Sequence, residues 1–454
     1  MSHGVGAPAG RPSLLQDAIH ELGRFVADLR WDELSRSTQA RAMDVVLDSI
    51  GVTIVGAITP ELRALQRMMA TERGAVRPLG TRLRVPSTIA AWLNGTAICA
   101  LELDEGNKRA RGHPAAHVVP AASAVAGART IDGANWLAAV VAGYEVAARL
   151  GMATQLHPGV HPHGNVGVAG AAATVARLEG GDAATVAAAV DAATALPIAS
   201  DFEAALDGSF VRNTWIGQAN VSGILAARLA RAGVVSVDGR AAGTLGGRLG
   251  EFDSSVLTSN LGQLFAVNSG YFKRHASCSF THPPADAALL LMGQGVTPSL
   301  IEEIEVRTHR LAAPLKRVHF ETRLGAMFSI PYVVAAAFRF GGIDPAATSV
   351  DARADPEVRR LASVTRVVHD ESFDDNLPLE RRARVSVRLK DGSVFVVEVP
   401  NPVGDVDHHP FGRAEVVQKL DRLLQPGEAA KIVDVVGRLP RTDDVGVVFD
   451  HDLP

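Results

Sequence analysis

The sequence predicts an α+β fold: a large, mostly helical domain that is discontinuous in the chain, and a smaller α+β domain built on an antiparallel sheet. Three observations carry this. Apolar residues recur at helical spacing from residue 13 to about 265. The texture changes near residue 268, after which strand-like alternation enters, two runs of it flanking Asp391-Gly392. Helical spacing returns beyond the loop Asn401 to Pro410. The expected division is therefore a tail over 1–12, a helical domain over 13–267 and 401–454, and the α+β domain over 268–400.

In chain order, Leu14, Ala18, Leu22, Phe25, Val26 and Leu29 mark the first helix. Ala42, Val45, Val46, Ser49 and Ile50 mark the second, and Pro86-Ser87-Thr88 can open a third through Ala97 and Ile98. Trp136 to Leu150, Val166 to Leu178, Ala183 to Ala195 and Gly217 to Ala232 follow, several of them apolar nearly all round, as central buried helices are. In the second domain Pro284 to Met292 and Pro331 to Phe338 read as helices. Ile304 to Thr308, Thr365 to Val368, Val385 to Leu389 and Val394 to Val399 read as strands. Arg413 to Leu424 and Pro426 to Leu439 are expected to return to the helical domain.

Composition narrows the function. Of 454 residues, 47% are hydrophobic and 21% charged, the balance of a globular protein. Only 5% are aromatic, so Ala, Val and Leu must fill the core. The formal net charge is −4 and no basic block occurs, which argues against nucleic acid as a partner. Two cysteines, Cys99 and Cys278, are too few for a disulfide scaffold and fit a reducing compartment. Residues 1–12 lack the pattern of a signal peptide, and charges or glycines break the apolar stretches, so no membrane span and a cytoplasmic location are expected. No Walker loop, dinucleotide fingerprint or Gly-x-Ser-x-Gly elbow occurs, so no nucleotide cofactor is expected.

Three segments could carry chemistry. Glu102, Asp104 and Glu105 follow an apolar helix and precede His113 and His117, whose spacing of four suits a helical metal pair but lacks a third ligand; no metal is expected. The run His157 to Asn165 holds three histidines in a glycine-containing turn ahead of a buried helix, a place suited to an anion and to proton transfer. Lys273 to His282 packs two cations, two histidines and Cys278 at the domain junction. Cys278 reads as a small packing residue in a pocket wall, with a cation-activated nucleophile as the alternative.

These segments, in order, resemble the MmgE/PrpD family, which includes 2-methylcitrate dehydratases, cis-aconitate decarboxylases and iminodisuccinate epimerases. The markers are "LDSIGVTIVG", "LELDEGNKRARGHPAAHVVPAA", "AGYEVAARLG", "HPHGNVGVAGAAATVARLEG", "FKRHASCSFTHPPADAA", "MFSIPYVVAAAF" and "NPVGD", spread over residues 15 to about 440. The resemblance implies one cleft between the two domains, a homodimer and no cofactor. It places the family's acidic segment on Glu102 to Asn107, its histidines on His113 and His161, and its basic positions on Arg212 and Lys273. It also marks Cys278, His282 and Tyr332. Where decarboxylase-like members have Asp and Thr, this chain has Glu102 and Gly106. Asn107, Arg212 and Cys278 stand where His, Lys and His are common. These departures argue against either exact reaction, the decarboxylation or the methylcitrate dehydration.

All the family's reactions put negative charge on carbon beside a carboxylate. The expected roles are therefore carboxylate binding by Lys273 and Arg212, with Asn107, Cys278 and His282 in the pocket. Proton transfer falls to His161 and His113, with Glu102, Asp104 and Tyr332 as further acid, base or orienting groups. The leading expectation is a hydro-lyase acting on a small di- or tricarboxylate. Epimerisation, isomerisation and decarboxylation are the chemical alternatives, and a noncatalytic metabolite-binding protein is the alternative of another class.

Overall fold

Alanine and glycine set the spacing of the helical part. Helices Gly133–Ala153 and Gly167–Leu178 cross with their backbones nearly touching: a Cβ at Gly143 would lie 1.8 Å from Thr174 Oγ1, and one at Gly170 would lie 2.6 Å from the Gly143 carbonyl. Such close approach buries backbone against backbone and needs few aromatics, in keeping with close packing of small side chains. The computed structural model describes residues 13–318 and 320–454; the tail expected over 1–12 lies outside them.

Around that pair pack Leu14–Asp28, Arg36–Ala57, Ser87–Ile98, Pro114–Ala126, Ala183–Ala193 and Val211–Arg231. The first opens with a capping box in which Ser13 and Gln16 satisfy each other's backbone donors. The third starts at Ser87 without a side-chain cap, so the cap expected there from Ser87 or Thr88 does not form. Gly133–Ala153 is long and apolar enough to cross a membrane by length and composition, which the sequence reading did not anticipate. It is almost wholly buried inside the protein, and its Glu145–Arg149 ion pair at 2.7 Å is equally buried, as in a core helix.

Beyond a two-stranded sheet of Thr154–Leu156 and Gly250–Phe252, a sheet of four strands runs in the order Thr365–His369, Ile301–Thr308, Ala383–Leu389, Val394–Val399. The last three are antiparallel, with Val306 opposite Val385 and Val385 opposite Val397. Thr365–His369 joins parallel, since the chain reaches it by a crossover through helices Ile330–Phe340 and Pro356–Ser363. Asp391 and Gly392 make the hairpin turn, Gly392 at φ +88 and Asp391 accepting from the Ser393 N–H at 2.9 Å. Helices His282–Gly293 and Ile330–Phe340 cover the sheet's apolar face. Thr281, just before the first of these helices, turns its hydroxyl to Ser277 and the Cys278 carbonyl and makes no side-chain cap.

Helices Arg413–Leu423 and Glu428–Arg438 pack on Arg36–Ala57 and share its core through Val416, Leu420, Ile432 and Val435. Lys419 reaches 2.6 Å to both Asp48 and the Leu103 carbonyl, all buried. The C-terminal helices thereby brace the loop that carries Glu102 and Asp104.

Candidate active site

The turn after helix Ser87–Ile98 begins with Glu102 at φ +52, a left-handed conformation that costs a non-glycine residue energy and clusters at functional sites. What holds it is charge. Arg212, in the first turn of helix Val211–Arg231, pairs with Glu102 Oε1, while Lys273 Nζ lies 3.1 Å from Glu102 Oε2 and 3.4 Å from Asp104 Oδ1. All four side chains are essentially inaccessible. Burial alone would raise the Asp104 carboxyl, but His113, Lys273 and Arg212 outweigh it and hold it well below the usual carboxylate range. Burial likewise opposes the Lys273 ammonium, and the carboxylates of Asp104 and Glu102 keep it charged. Two cations and two anions thus balance one another inside this cluster.

His113 closes the chain of contacts. It caps helix Pro114–Ala126, whose first residue is a proline that needs no N–H partner. Its Nδ1 lies 2.8 Å from the Glu105 carbonyl and 2.9 Å from Asp104 Oδ2, two acceptors, so Nδ1 carries hydrogen. Among the described residues Nε2 has no protein partner. His113 is also the least buried of the clustered histidines: its side chain is 12% exposed, whereas whole-residue exposures of His117, His161 and His163 are 1–3%.

The other histidines are occupied. His161 Nδ1 accepts the His163 N–H at 3.1 Å, and the Arg212 guanidinium donates to its Nε2 at 3.3 Å. Burial first, and then the Arg212 charge, pushes His161 and His163 well below the ordinary imidazole range. Both are held neutral, so the acid/base role expected of His161 fits His113 better. His117 spends Nδ1 on the His113 carbonyl at 2.9 Å and Nε2 on the Gly164 N–H at 3.3 Å. The 163 and 164 amides are therefore already used, and the anion cradle expected in this turn is filled by imidazoles. Among the described residues no three His, Cys, Asp or Glu side chains gather as a metal site.

A cavity of about 110 Å³ opens where the two parts of the chain meet. Glu102, His113, His161, His163 and Arg212 line it from the helical part, and Cys278, Ser279, Phe280, Leu311, Phe328 and Arg381 from the other. Phe202 stacks on His161 with ring centroids 5.3 Å apart, and Phe328 lies 5.0 Å beneath the Arg212 guanidinium. Cys278 faces this cavity as a thiol, pushed up to about 11 by burial and by Glu102, which is the packing role and not that of an activated nucleophile. A larger cavity of about 320 Å³ lies elsewhere, around Arg77, Arg129 and Asp450, and holds none of the expected site residues.

Several expected site residues are placed otherwise. Lys273 and Asp104 stand behind Glu102 and His113 and do not line the cavity, so Lys273 acts on the carboxylates and not directly on a ligand. Asn107 is a turn residue: its Oδ1 accepts the N–H groups of Arg109 and Ala110, and its Nδ2 bonds Tyr144 and the Ala266 carbonyl. His282 turns inward to the Ser277 carbonyl at 3.2 Å and packs against His275. Tyr332 donates to the Ala347 carbonyl at 2.5 Å within the second core, away from the cavity. Gly106 has a physical reason to be small: a Cβ there would meet the Tyr271 hydroxyl at 2.5 Å. Tyr271, which lines the cavity, fills the space a larger residue would take.

Sequence reasoning named His163 only as one of the three histidines of its run, and did not select Tyr271 or Arg381. Arg381 carried a signal, because it is in phase with Ala383, Val385 and Val387 on the buried face of their strand, where a charge is out of place.

The MmgE/PrpD N-terminal domain matches residues 20–249 and the MmgE/PrpD C-terminal domain matches residues 275–436. A cis-aconitate decarboxylase of Aspergillus terreus is 23% identical over 95% of this chain and 94% of its own length. A cis-aconitate decarboxylase-like protein of Aspergillus oryzae is 27% identical over 85% of this chain and 86% of its own. The human cis-aconitate decarboxylase is 26% identical over 96% and 94%.

Proposed function

The chain belongs to the MmgE/PrpD family, and on that premise we propose that it is a lyase acting on a small carboxylate, with decarboxylation as its reaction. The observation that carries the reading is the His113–Asp104 contact at 2.9 Å, beside a cavity whose other histidines are held neutral by burial and by the Arg212 charge. It supplies one well-placed proton carrier, and loss of carbon dioxide needs one proton delivered to carbon.

In this reading the bond to one substrate carboxylate breaks and carbon dioxide leaves. The electron pair stays on the substrate, delocalised into its remaining unsaturated or carboxyl group. The imidazolium of His113 then gives its Nε2 proton to carbon, and water restores it. Asp104 fixes the ring and stabilises its charged form, while Arg212 faces the developing negative charge. The aromatic rings of Phe202 and Phe328 keep water from the leaving group. Relatives named as cis-aconitate decarboxylases support the reaction class. The departures at Glu102, Gly106 and Cys278 point to a different substrate.

Hydration chemistry is the second reading, favoured by one feature: among the described residues His163 Nδ1 is buried without a partner, and its neutral ring lies edge-on to His113 with centroids 5.1 Å apart, where it could orient a water beside His113. The test follows a panel of unsaturated and hydroxylated di- and tricarboxylates by proton NMR in heavy water, with carbon dioxide measured alongside. Carbon dioxide released one-to-one with product, and lost in His113→Ala, is the expected result. New conjugated absorbance without carbon dioxide would select the hydro-lyase, and C–H exchange without net conversion the epimerase. Thermal stabilisation by the panel with no turnover would make it a binding protein.

A further inference from the structure

We propose that Arg381 anchors a substrate carboxylate and that the substrate is a carboxylate with an apolar body, not a densely charged tricarboxylate. The assignment rests on the reading of the cavity as a carboxylate-lyase site and adds what that site selects.

Count the charges around the cavity. Arg212 and Lys273 are matched by Glu102 and Asp104. Lys108 is matched by Asp405 at 3.0 Å and Asp407 at 2.7 Å. Arg111 is exposed and spends a guanidinium N–H on the Thr154 carbonyl at 2.9 Å. Arg381 is different. It is 8% exposed, and among the described residues no carboxylate lies within ion-pair distance of it. Among the described residues its guanidinium makes a single hydrogen bond, to Ser279 Oγ at 3.0 Å. A guanidinium has five N–H donors, and an unpaired charge is costly to bury, so this group is set to receive an anion.

It is also held still. The Tyr271 and Phe280 rings flank it at 5.1 and 5.3 Å, and its backbone N–H is shared by Asn401 Oδ1 at 3.0 Å and the Pro400 carbonyl at 3.1 Å. A planar cation fixed between rings is suited to bidentate capture of a carboxylate. The wall around it is apolar: Phe280, Leu311, Leu377 and Pro378 line the same cavity. One buried free cation and an apolar wall match a ligand with one anchored carboxylate and a hydrocarbon part. Beyond Arg381, a further carboxylate would meet cations already neutralised, apolar surface, or Arg111, which is exposed to solvent and tied to the Thr154 carbonyl.

Isothermal titration with phenylsuccinate and with citrate tests this on the full-length protein and on Arg381→Met, Arg381→Lys, Ser279→Ala and His113→Ala. The wild type is expected to bind phenylsuccinate at least tenfold tighter than citrate. Arg381→Met should weaken phenylsuccinate 30-fold or more, and Arg381→Lys and Ser279→Ala, which keep a cation, should fall between. Citrate binding tighter, no binding of phenylsuccinate to the wild type, or equal affinity in Arg381→Met would overturn the assignment. If Arg381→Met does not fold, wild-type affinity in both Arg381→Lys and Ser279→Ala overturns it. His113→Ala separates the two readings: normal binding with turnover abolished keeps the lyase whatever Arg381 does. Full turnover in His113→Ala would remove the lyase mechanism while leaving the anchoring measurement intact.

Discussion

Asp104 Oδ2 lies 2.9 Å from His113 Nδ1, and the Glu105 carbonyl lies 2.8 Å from the same atom. The two acceptors fix the tautomer and leave Nε2 for the cavity. Asp104→Asn keeps the shape but puts an amide beside Nδ1 and removes the charge that stabilises the imidazolium. We expect kcat to fall roughly 10²- to 10⁴-fold with KM little changed, as for other carboxylate–histidine pairs. Steady-state kinetics on the purified variant decide it; a loss under threefold would mean that Asp104 is not acting through His113.

How much of this could be read beforehand follows physical lines. Helix positions were legible because alanine-rich cores keep a 3.6-residue period, and the hairpin because Asp391-Gly392 specifies its own turn. Asp104 and His113 were legible as polar residues crowded after an apolar helix, whereas Arg212 was placed only by the family resemblance. Tyr332 and His282 misled for one reason: a buried polar atom must find a partner, and theirs turned out to be the carbonyls of Ala347 and Ser277. The pairing of Lys273 with Glu102 and Asp104 joins residues 171 and 169 positions apart, which no local pattern encodes.

Glu102 offers a stability test. It is buried, at positive φ, and shared by Arg212 and Lys273. Glu102→Ala leaves Arg212 without a carboxylate and Lys273 with Asp104 alone, so destabilisation of about 3–5 kcal/mol is expected, the usual cost of breaking a buried pair. Adding Lys273→Met removes the stranded cation, and the double variant should lose clearly less than the sum of the singles. Urea unfolding measures all of them, and strict additivity would speak against the shared network.

The pH dependence has a definite sign. Burial lowers His117 to about 4 and drives His161, His163 and His282 well below the ordinary value. In the unfolded chain all of them protonate near pH ~6.5. Their stabilising contribution is complete above that pH and is lost as pH falls toward the folded values, because the unfolded state then binds more protons. Glu105 works the other way. Burial raises it to about 8 despite the Tyr144 hydroxyl bonded at 2.6 Å, so its contribution is present at low pH and lost as pH rises through 8. Below pH ~6.5 the histidines outnumber it, and stability should fall by up to about 4 kcal/mol per pH unit. Melting temperatures at pH 5, 6.5 and 8 should peak in the middle. Glu105→Gln should flatten the alkaline side and steepen the acid side, and a profile flat from pH 5 to 8 would refute the scheme.

Gly167 links the helix packing to the site. A Cβ there would lie 2.2 Å from His117 Cγ, and His117 Nε2 in turn accepts the Gly164 N–H, pinning the loop that carries His161 and His163. The ring cannot yield, because its Nδ1 is tied to the His113 carbonyl at 2.9 Å. Gly167→Ala therefore overpacks helix Gly167–Leu178 against Pro114–Ala126, at a cost of about 1–3 kcal/mol. It also shifts His113 and the histidine loop together, so kcat should drop at least tenfold at a temperature where the variant is still folded. Gly293→Ala is the control: nothing lies within 4 Å of a Cβ at that helix end, and a change within about 0.5 kcal/mol with unaltered kcat is expected. Equal activity in the two variants would mean that the His117 contact does not hold the site in place.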